Sequence, residues 1–532
     1  MKIIVTERIA EEGLQYLRAE GFDLDVRYGI SRQELLDIID QYDAIIVRSV
    51  TKVNRELIER GTRLRVAGRA GNGIDNIDVD ACTERGIIVV NTPESNTMAA
   101  GELAIAMACA LFRNLTRASA ACRARDFRRN KYIGRELDGK TVGIIGLGRI
   151  GSIVARKLIG HNMKAIAYDP YITDDKFARV GVEKCADLDD LLRRADLVTI
   201  HTPKTAETIG MVGERELALC KKGVYVVNAA RGGLINEAAL VAALRSGHVA
   251  GAGIDVLDPE PGYDKPPEEQ TYQNPLLELD NVIVTPHLGA STEEANYNVG
   301  TAITKLVGDA LQGKMVAAVN MPPLKSGDLE QLRPYLTLAE MLGRIYYQVE
   351  KETVEKVEIV YSGDLADKET KVLSLSVLKG LLDPVVKETV NYVNAELIAT
   401  GMGIELVESR STHLDKYTNL ITVRFHSRSC TREISGTVFA REELRIVDFF
   451  GYQLDFEPTP YVIAIQNIDM PGTIGRIGTL LGGHGINIAA MQWSRKGEKA
   501  VSFVSVDGEV SDAVLRELVA TEGVLKATMI HL

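Results

Sequence analysis

Three side chains with complementary chemistry each lie just beyond an apolar run that is typical of a buried strand. Arg231 follows residues 224–227, Glu260 lies between two prolines shortly after residues 253–256, and His287 follows residues 282–284. Because the carboxyl ends of parallel strands meet at one edge of a sheet, we expect the three side chains to lie together. Arginine binds a carboxylate bidentately, and a glutamate orients a histidine that moves a proton. Taken alone, each residue has an ordinary alternative: a surface arginine, a loop glutamate or a core histidine. Their joint placement favours a catalytic site.

A glycine-rich turn provides the second chemical signal. Gly146, Gly148 and Gly151 follow an apolar run and begin a helical stretch. The first glycine permits a tight turn, the second lets the backbone approach a pyrophosphate, and the third lets helix and strand pack closely. Asp169 lies 18 residues after Gly151, where a carboxylate accepts the ribose hydroxyls and repels a 2′-phosphate. Because a proline rather than an arginine follows it, the sequence predicts NAD rather than NADP as cofactor.

The elements that position these residues follow an α/β pattern. From residue 1 to about 97, and again from 139 to 286, short apolar runs alternate with polar helical stretches, as in a parallel sheet with crossover helices. The predicted strands are 3–5, 44–47, 64–67 and 87–90, then 142–145, 165–168, 197–200, 224–228, 253–256 and 282–284. The fold class is therefore α/β, with two doubly wound Rossmann-like domains. A histidine proton carrier at the edge of such a sheet, beside NAD, predicts hydride transfer.

The last third of the chain changes pattern. After a proline break at 322–323 and the polar residues 325–328, longer alternating runs such as 354–361 and 419–426 predict an α+β block. A second break around Pro458 and Pro460 precedes a final block of strands and helices in βαββαβ order, which is ferredoxin-like. The predicted strands of this block are 461–466, 486–491, 501–506 and one near residue 527. Its first helix is predicted to bury Ile474, Ile477 and Leu481 on one face.

Composition limits the classes of partner. The net charge of −11 on the 532 residues disfavours nucleic acid or an anionic membrane as the main partner, and a hydrophobic content of 45% can bury several cores. This length predicts about three to four domains. The N-terminus lacks the apolar core of a signal peptide, and the longest apolar stretch, 98–112, is predicted to be a buried helix rather than a membrane span. Six cysteines without CxxC or metal-ligand spacing predict core thiols in a reducing cytoplasm, and no metal.

Several motifs together resemble those of the D-2-hydroxyacid dehydrogenases, in particular the long-form members of that family. They are the runs 46–49, 68–71, 146–151, 228–233 and 285–292, with the C-terminal block, so the resemblance spans essentially the whole chain. It implies a substrate-binding domain of residues 1–97 and 286–317, an NAD-binding domain of residues 98–285, an intervening domain of residues 318–456 and a regulatory ACT domain of residues 457–532. The substrate is then expected in the cleft between the first two domains.

The resemblance also assigns roles to the matching residues. Arg231 would bind the substrate's carboxylate and carbonyl region, His287 would be the general acid/base, and Glu260 would be its partner. The residues expected at the cofactor are Gly146, Gly148, Arg149, Ile150, Gly151, Asp169, Thr202, Ala229, Asp255 and Asn72. Those expected at the substrate are Arg48, Ser49, Arg69 and Gly73, and solvated surface charges are the alternative for the two arginines.

The activity implied by the resemblance is oxidation of 3-phospho-D-glycerate to 3-phosphohydroxypyruvate with NAD, the first step of L-serine synthesis. The expected form is a cytoplasmic homo-oligomer, either a dimer or a tetramer. Other D-2-hydroxyacid dehydrogenases, acting on glyoxylate, lactate or 2-hydroxyglutarate, would keep the same three side chains but would rarely carry the last two domains. A non-catalytic NAD-sensing scaffold would not need Arg231, Glu260 and His287 together.

The resemblance of the last block to ACT domains, which bind amino acids, implies L-serine as an inhibitor. The turn before the helix near Thr473 offers backbone N–H groups for a carboxylate and Asp469 for an ammonium, and Asn487 is expected from a partner chain. A dimerisation module without a ligand is the alternative. The intervening domain is expected to have an anion-binding allosteric role, although no motif in it fixes a ligand.

Two features depart from the family pattern. The segment between Glu260 and His287, with residues 262–272, is longer than expected, so access to the cleft is expected to differ. Asn72 stands where the family often has threonine. Because asparagine keeps a donor and an acceptor, we expect its contact with cofactor or substrate to survive.

Overall fold

The structure, a computed structural model, describes residues 1–262, 266–323, 328–387, 389–412, 416–440 and 442–532. Part of the predicted break at 325–328 and part of the long segment before His287, namely residues 325–327 and 263–265, lie outside the described residues. No single helix among the described residues has both the length and the apolar character needed to cross a membrane. One pair, Thr97–Phe112 and Leu115–Arg123, passes that test only when joined, and it is bent by 65°.

The first 91 residues, all of them described, form a five-stranded parallel sheet with strand order β2-β1-β3-β4-β5. Its strands are β1 Lys2–Val5, β2 Asp23–Val26, β3 Ala44–Val47, β4 Val66–Arg69 and β5 Ile88–Asn91. Its helices are α1 Glu11–Ala19, α2 Arg32–Ile38, α3 Arg55–Arg60 and α4 Val79–Glu84. Strand order reverses between β1 and β3, so the loops after these two strands leave the sheet on either side of a crevice.

A second parallel sheet, of seven strands within the described part of residues 141–284, has the order β12-β11-β10-β9-β6-β7-β8. Its strands are β6 Thr141–Ile145, β7 Lys164–Tyr168, β8 Glu183–Lys184, β9 Leu197–Ile200, β10 Val224–Asn228, β11 Val249–Ile254 and β12 Val282–Val284. The helices from residue 97 to 245 are α5 Thr97–Phe112, α6 Leu115–Arg123, α7 Arg149–Ile159, α8 Asp174–Val180, α9 Leu188–Arg194, α10 Glu214–Leu219 and α11 Glu237–Arg245. Here the order reverses between β6 and β9. The two doubly wound sheets confirm the predicted α/β class.

Strand ends differ from the predicted ones by a few residues. The strand predicted at 253–256 is β11, which begins at Val249 and ends at Ile254, so Asp255 is the first residue beyond it. Gly251 and Gly253 within β11 let α5 approach closely, because a Cβ on Gly253 would lie 3.0 Å from Met107 Cβ. α5 is the predicted buried helix, although Met98 in its first turn is exposed.

The chain then returns to the first sheet through α12 Glu293–Leu311. Val299, Ile303 and Val307 of this helix are buried in the same cluster as strands β1, β3 and β4. A Cβ on Gly68 of β4 would lie only 2.6 Å from Val307 Cγ2, so glycine is required at this contact.

Two further sheets follow in the described part of residues 328–532. The first, in the order β14-β13-β15-β16-β17-β18, is antiparallel except for the β13–β14 pair. Its elements are α13 Asp328–Val349, β13 Val354–Gly363, α14 Lys371–Leu382, α15 Ala395–Gly401, β14 Glu405–Ser411, β15 Asn419–Ser427, β16 Thr431–Phe439, β17 Glu443–Phe449 and β18 Tyr452–Phe456. Short 3-10 turns lie at Ile39–Gln41, Arg129–Tyr132, Pro267–Glu269, Pro275–Glu278 and Asp364–Asp367.

The final block is an antiparallel sheet of order β20-β21-β19-β22, which confirms the predicted βαββαβ arrangement. Its elements are β19 Tyr461–Ile468, α16 Thr473–Gly483, β20 Ile488–Lys496, β21 Lys499–Val506, α17 Asp512–Ala520 and β22 Val524–His531. The prediction that Ile474 shares the buried face of α16 was wrong, since this side chain is 53% exposed. The buried stripe instead runs through Thr473, Ile477 and Leu481, four residues apart, which turns Ile474 away from the sheet.

Candidate active site

The glycine-rich turn after β6 has the geometry that a dinucleotide needs. Gly146 has φ +89°, a left-handed conformation that favours glycine, and a Cβ on Gly151 would lie 2.1 Å from Gly146 O. At Gly148, the N-cap of α7, a Cβ would meet nothing within 4 Å. The helix N-terminus therefore has open space before it, and its unpaired N–H groups and dipole suit a pyrophosphate.

Asp169 lies beside this turn, just after β7. Its Oδ2 accepts a hydrogen bond of 2.9 Å from the Leu147 backbone N–H, and its Oδ1 accepts one of 3.0 Å from Tyr171 N–H. The side chain is only partly buried. The carboxylate is thus held beside the glycine turn, and its expected contact with the ribose of NAD stays a prediction.

Four other residues predicted at the cofactor have different surroundings. Thr202 lies after β9 and close to the turn, because a Cβ added to Gly146 would lie only 2.9 Å from Thr202 Cγ2. Ile150 packs against the hydrophobic core beneath α7. Ala229 lies near the loop that carries His287, because a Cβ added to Gly289 would lie 3.9 Å from Ala229 O. Arg149 forms an exposed ion pair of 2.7 Å with Glu94, in the segment before α5, so its guanidinium has a protein partner in this structure.

The predicted histidine–glutamate pair is present. His287 Nδ1 and Glu260 Oε1 lie 3.2 Å apart, although 27 residues separate them along the chain. The hydrogen bond from His287 holds the pKa of Glu260 below its ordinary value, against the opposing effect of burial. The charges of Arg231 and Arg69 lower the same pKa further, so all four side chains lie within one electrostatic environment.

Asp255 fixes the loop that carries His287. Its Oδ1 accepts hydrogen bonds from Thr285 Oγ1, at 2.6 Å, and from Leu288 N–H, at 2.7 Å, and its Oδ2 accepts one from Gly289 N–H, at 2.9 Å. His287 has φ +56°, an uncommon conformation for a residue with a side chain. Because the Asp255 carboxylate is fully buried and engaged on both oxygens, it stabilises this conformation; its expected contact with nicotinamide stays a prediction.

Arg231 reaches from the second sheet towards the first. Its Nε lies 3.2 Å from Asp75 Oδ2, and a Cβ on Gly73 would lie 2.0 Å from its Nη2. The loop containing residues 72–77, after β4, therefore lies against Arg231. Asn72 is anchored in this loop through its carbonyl, which accepts a hydrogen bond of 2.6 Å from Asn91 Nδ2.

Two more arginines give the cleft a positive field. Burial, followed by the charge of Arg231, lowers the pKa of Arg69 to about 10, and Arg48 adds to this effect. Among the residues that the structure describes, Arg69 Nε has no hydrogen-bond partner. Arg48 donates to Arg8 O at 3.4 Å, and Ser49 follows it in an exposed turn. Crowded cations of this kind suit a substrate with more than one negative charge.

The predicted effector residues have partners within their own chain. Asp469 forms an ion pair of 3.4 Å with Arg495, and Asn487 donates to Asp507 Oδ2 at 2.8 Å. The two residues flank opposite ends of α16, whose 11 residues span about 16 Å. One small ligand cannot contact both side chains within a single chain across that distance.

Four residues near the site were not predicted from the sequence. Asp75 pairs with Arg231, and Glu94 pairs with Arg149. Glu7 bonds the backbone of the loop that begins at Arg48. His201 follows β9 and is partly buried; desolvation lowers its pKa to about 4, and its ring bonds Thr199 Oγ1 at 2.9 Å. His201 and Glu7 each come just after a strand, which is the signal that identified Arg231 and His287.

Comparison with known families matches three segments of the chain. Residues 105–289 match the D-isomer specific 2-hydroxyacid dehydrogenase, NAD binding domain; residues 331–450 match the D-3-phosphoglycerate dehydrogenase intervening domain; and residues 461–523 match the ACT domain. These matches agree with the second, third and fourth sheets.

Individual proteins are similar over all or part of the chain. D-3-phosphoglycerate dehydrogenase of Archaeoglobus fulgidus is 40% identical over 537 aligned residues, with 100% of both chains covered. The protein of the same name from Methanocaldococcus jannaschii is 41% identical, again with 100% of both chains covered. Among solved structures, D-lactate dehydrogenase of Aquifex aeolicus complexed with NAD and lactic acid matches with a TM-score of 0.53 and 28% identity, covering 59% of this chain and 96% of that one.

Proposed function

The chain belongs to the D-3-phosphoglycerate dehydrogenase family, and on that premise we propose that it oxidises 3-phospho-D-glycerate to 3-phosphohydroxypyruvate with NAD. The observation that carries this proposal is the His287–Glu260 pair beside Arg231 and Arg69, at the edge of an NAD-binding sheet. This reaction produces the precursor from which L-serine is made.

The residues that would hold NAD fit the group. The left-handed Gly146, the open N-terminus of α7 at Gly148 and the Asp169 carboxylate suit the pyrophosphate and the adenosine ribose. NAD, when bound, supplies the acceptor for the hydride that leaves C2 of the substrate. The protein's own part is to bind, orient and deprotonate that substrate.

Proton transfer would use the His287–Glu260 pair. The carboxylate of Glu260 accepts a hydrogen bond at Nδ1 of His287, so Nε2 is the nitrogen that takes the proton of the C2 hydroxyl. Glu260 then stabilises the imidazolium that forms. Such positioned proton transfer contributes about 10²- to 10⁴-fold to the rate.

Substrate binding would use the arginines. Arg231 would bind the C1 carboxylate, and Arg48 and Arg69 would neutralise the remaining negative charge at the phosphate. Ser49 would contact the substrate beside Arg48. The lowered pKa of Arg69 supports this assignment, because burial and then the neighbouring cations Arg231 and Arg48 disfavour its charge, and a bound anion would offset both effects. Fixing the substrate against the cofactor supplies much of the remaining rate enhancement.

A substrate panel tests this function. NAD reduction is measured with 3-phospho-D-glycerate beside D-lactate, D-glycerate and D-2-hydroxyglutarate, each at a range of concentrations. We expect the phosphorylated acid to have the highest kcat/KM. A higher value for another acid would favour a different D-2-hydroxyacid dehydrogenase, and no reduction with any acid would favour an NAD-sensing scaffold.

We also propose that L-serine inhibits the enzyme through the C-terminal domain. The match to the ACT domain and the partly exposed turn at 469–472 support this role, with Asp469 on the ammonium and Asn487 from a second chain. In the free protein Arg495 and Asp507 pair with these residues, so the ligand would exchange those contacts. Calorimetry with L-serine on the intact protein is the direct test, and no heat of binding at millimolar ligand would favour a dimerisation module.

The intervening domain is proposed to bind an anion that modulates activity. A cavity of about 380 Å³ between it and the last domain is lined by Arg432, Lys496, Lys499 and Lys526, with Glu350 as the acidic residue. Three of these cations come from the last domain, so an anion there would contact both domains. Kinetics with added inorganic phosphate, on wild type and on Lys499→Ala, test the role.

The active form is proposed to be a homo-oligomer in the cytoplasm. α6 buries no residue, and Leu115, Phe127 and Ile133 on and after it are 62, 68 and 79% exposed, which supports covering by a second copy. Sedimentation of wild type and Phe127→Asp distinguishes a dimer or tetramer from a monomer. All six cysteines are unpaired, which supports a reducing compartment.

A further inference from the structure

One carboxylate near the cleft bonds four consecutive backbone amides. Glu7 Oε1 accepts from Arg48 N–H and Thr51 N–H, each at 2.9 Å, and Glu7 Oε2 accepts from Ser49 N–H and Val50 N–H, each at 3.1 Å. Residues 48–51 are not helical, and α3 begins only at Arg55, so this is not a helix cap. Converging backbone N–H groups of this kind form a nest, which usually binds an anion.

The nest lies at a position where open α/β sheets bind ligands. Glu7 follows β1 and Arg48 follows β3, and the strand order reverses between these two neighbouring strands. Such a switch point is the usual ligand crevice of a doubly wound sheet. Here the protein's own carboxylate satisfies the amides, so the substrate is left to meet the side chains that the loop carries.

The opposite side of the same loop is also held. Asn76 Nδ2 donates to Arg48 O at 2.9 Å and to Thr51 O at 2.7 Å. Thr51 Oγ1 adds a hydrogen bond of 2.8 Å to Thr6 Oγ1. Asn76 is the neighbour of Asp75, which pairs with Arg231, so one short loop connects both ends of the substrate site.

We propose that Glu7 is a positioning residue for recognition of the substrate's phosphate. It would not touch the substrate. By bonding all four amides of residues 48–51 it fixes the backbone of the loop that carries Arg48 and Ser49, so this backbone loses little conformational freedom when the substrate binds. This inference rests on the proposed function, because it assumes that the Arg48 loop receives the phosphate of 3-phosphoglycerate.

Glu7→Gln is the sharpest variant. Its amide keeps one acceptor oxygen but turns an NH₂ group towards two of the backbone N–H donors, so about half of the nest is lost at almost constant volume. The matched control is Glu12→Gln, an exposed glutamate in α1. For Glu7→Gln we expect KM for 3-phosphoglycerate to rise about tenfold, the equivalent of one lost bond to a charged group, with kcat within about twofold. KM for unphosphorylated D-glycerate is expected to change by less than about twofold.

A double-mutant cycle separates positioning from general damage. Because Glu7 is proposed to act through Arg48, Glu7→Gln should add less than about twofold to KM in an Arg48→Ala background. Equal KM changes for the two substrates, or a full additive effect in that background, would overturn the proposal.

Amide hydrogen exchange of the substrate-free protein provides a readout that does not depend on the reaction. We expect the amides of residues 48–51 to exchange faster in Glu7→Gln than in wild type and Glu12→Gln, with the remaining amides unchanged. Unchanged exchange at 48–51 would show that Glu7 does not hold the loop. Failure of the proposed function is distinguishable from failure of the Glu7 proposal, because in the first case the wild-type protein itself would prefer another acid.

Discussion

His287 Nδ1 lies 3.2 Å from Glu260 Oε1, across the gap between the loops that follow β11 and β12. The contact fixes which imidazole nitrogen points towards the acid partner and which remains for the substrate. The same two loops are also joined by the hydrogen bonds that Thr285, Leu288 and Gly289 donate to Asp255. The pair is therefore the part of the site whose removal gives the clearest kinetic signature.

His287→Ala is expected to lower kcat by about 10²-fold or more, because the general base for the C2 hydroxyl is removed. NADH binding, followed by fluorescence titration, should stay nearly unchanged, since the glycine turn lies on other strands. His161→Ala, in the exposed turn after α7, is the control and should keep wild-type turnover. Near-normal turnover of His287→Ala would show that His287 is not the group that transfers the proton.

The lowered pKa of Glu260 predicts a pH-dependent contribution to stability. The His287 bond favours the ionised carboxylate, so its stabilisation is present above the ordinary glutamate pKa of about 4.3 and is lost as pH falls through the lowered value. Urea unfolding of wild type and Glu260→Gln should therefore differ near neutral pH and converge below that range. A difference that grows as the pH falls would contradict this sign.

Asp169→Ala is expected to weaken NAD binding and to relax discrimination against NADP. The first effect follows from the loss of the ribose acceptor and the second from the loss of a repulsive charge. Because Asp169 also bonds Leu147 N–H, Asp169→Asn is the matched variant that keeps much of the shape without the charge. If neither variant alters the ratio of kcat/KM for NAD and NADP, Asp169 does not lie at the ribose.

Arg48→Ala and Arg69→Ala are each expected to raise KM for 3-phosphoglycerate by about tenfold or more, as expected for a lost bond between charged groups. KM for D-glycerate should rise far less, because that acid has no phosphate. Arg60→Ala, an exposed arginine at the end of α3, is the control. Equal increases in KM for both acids would show that the two arginines do not bind the phosphate.

Asp469→Ala is expected to abolish inhibition by L-serine without loss of the basal rate. The carboxylate is proposed to bind the ammonium of the effector, and it lies in the last domain, remote in the chain from the catalytic residues. Coupling of this kind is typically about 1 to 3 kcal/mol, so inhibition curves measure it readily. Persistent inhibition at wild-type serine concentrations would exclude Asp469 as an effector ligand.

Much of the fold could be predicted from local patterns alone. The glycine turn, the alternation of apolar runs and helices, and the βαββαβ order of the last block depend on short-range spacing. Position just after a predicted strand likewise indicated Arg231 and His287, because the carboxyl ends of parallel strands form the edge of the sheet at which ligands bind. Local pattern failed at Ile474, whose exposure depends on how α16 sits on its sheet.

The contacts between strand ends were decided by tertiary structure. Asp75 meets Arg231, and Glu7 meets residues 48–51, only because strand order brings distant loops together. Asp255 makes contacts that local pattern did not indicate, since its buried carboxylate bonds Leu288 and Gly289 and holds the His287 loop. Residue type and spacing thus determine which chemistry the chain carries. Which groups become partners depends on the register and order of strands, a long-range outcome of packing.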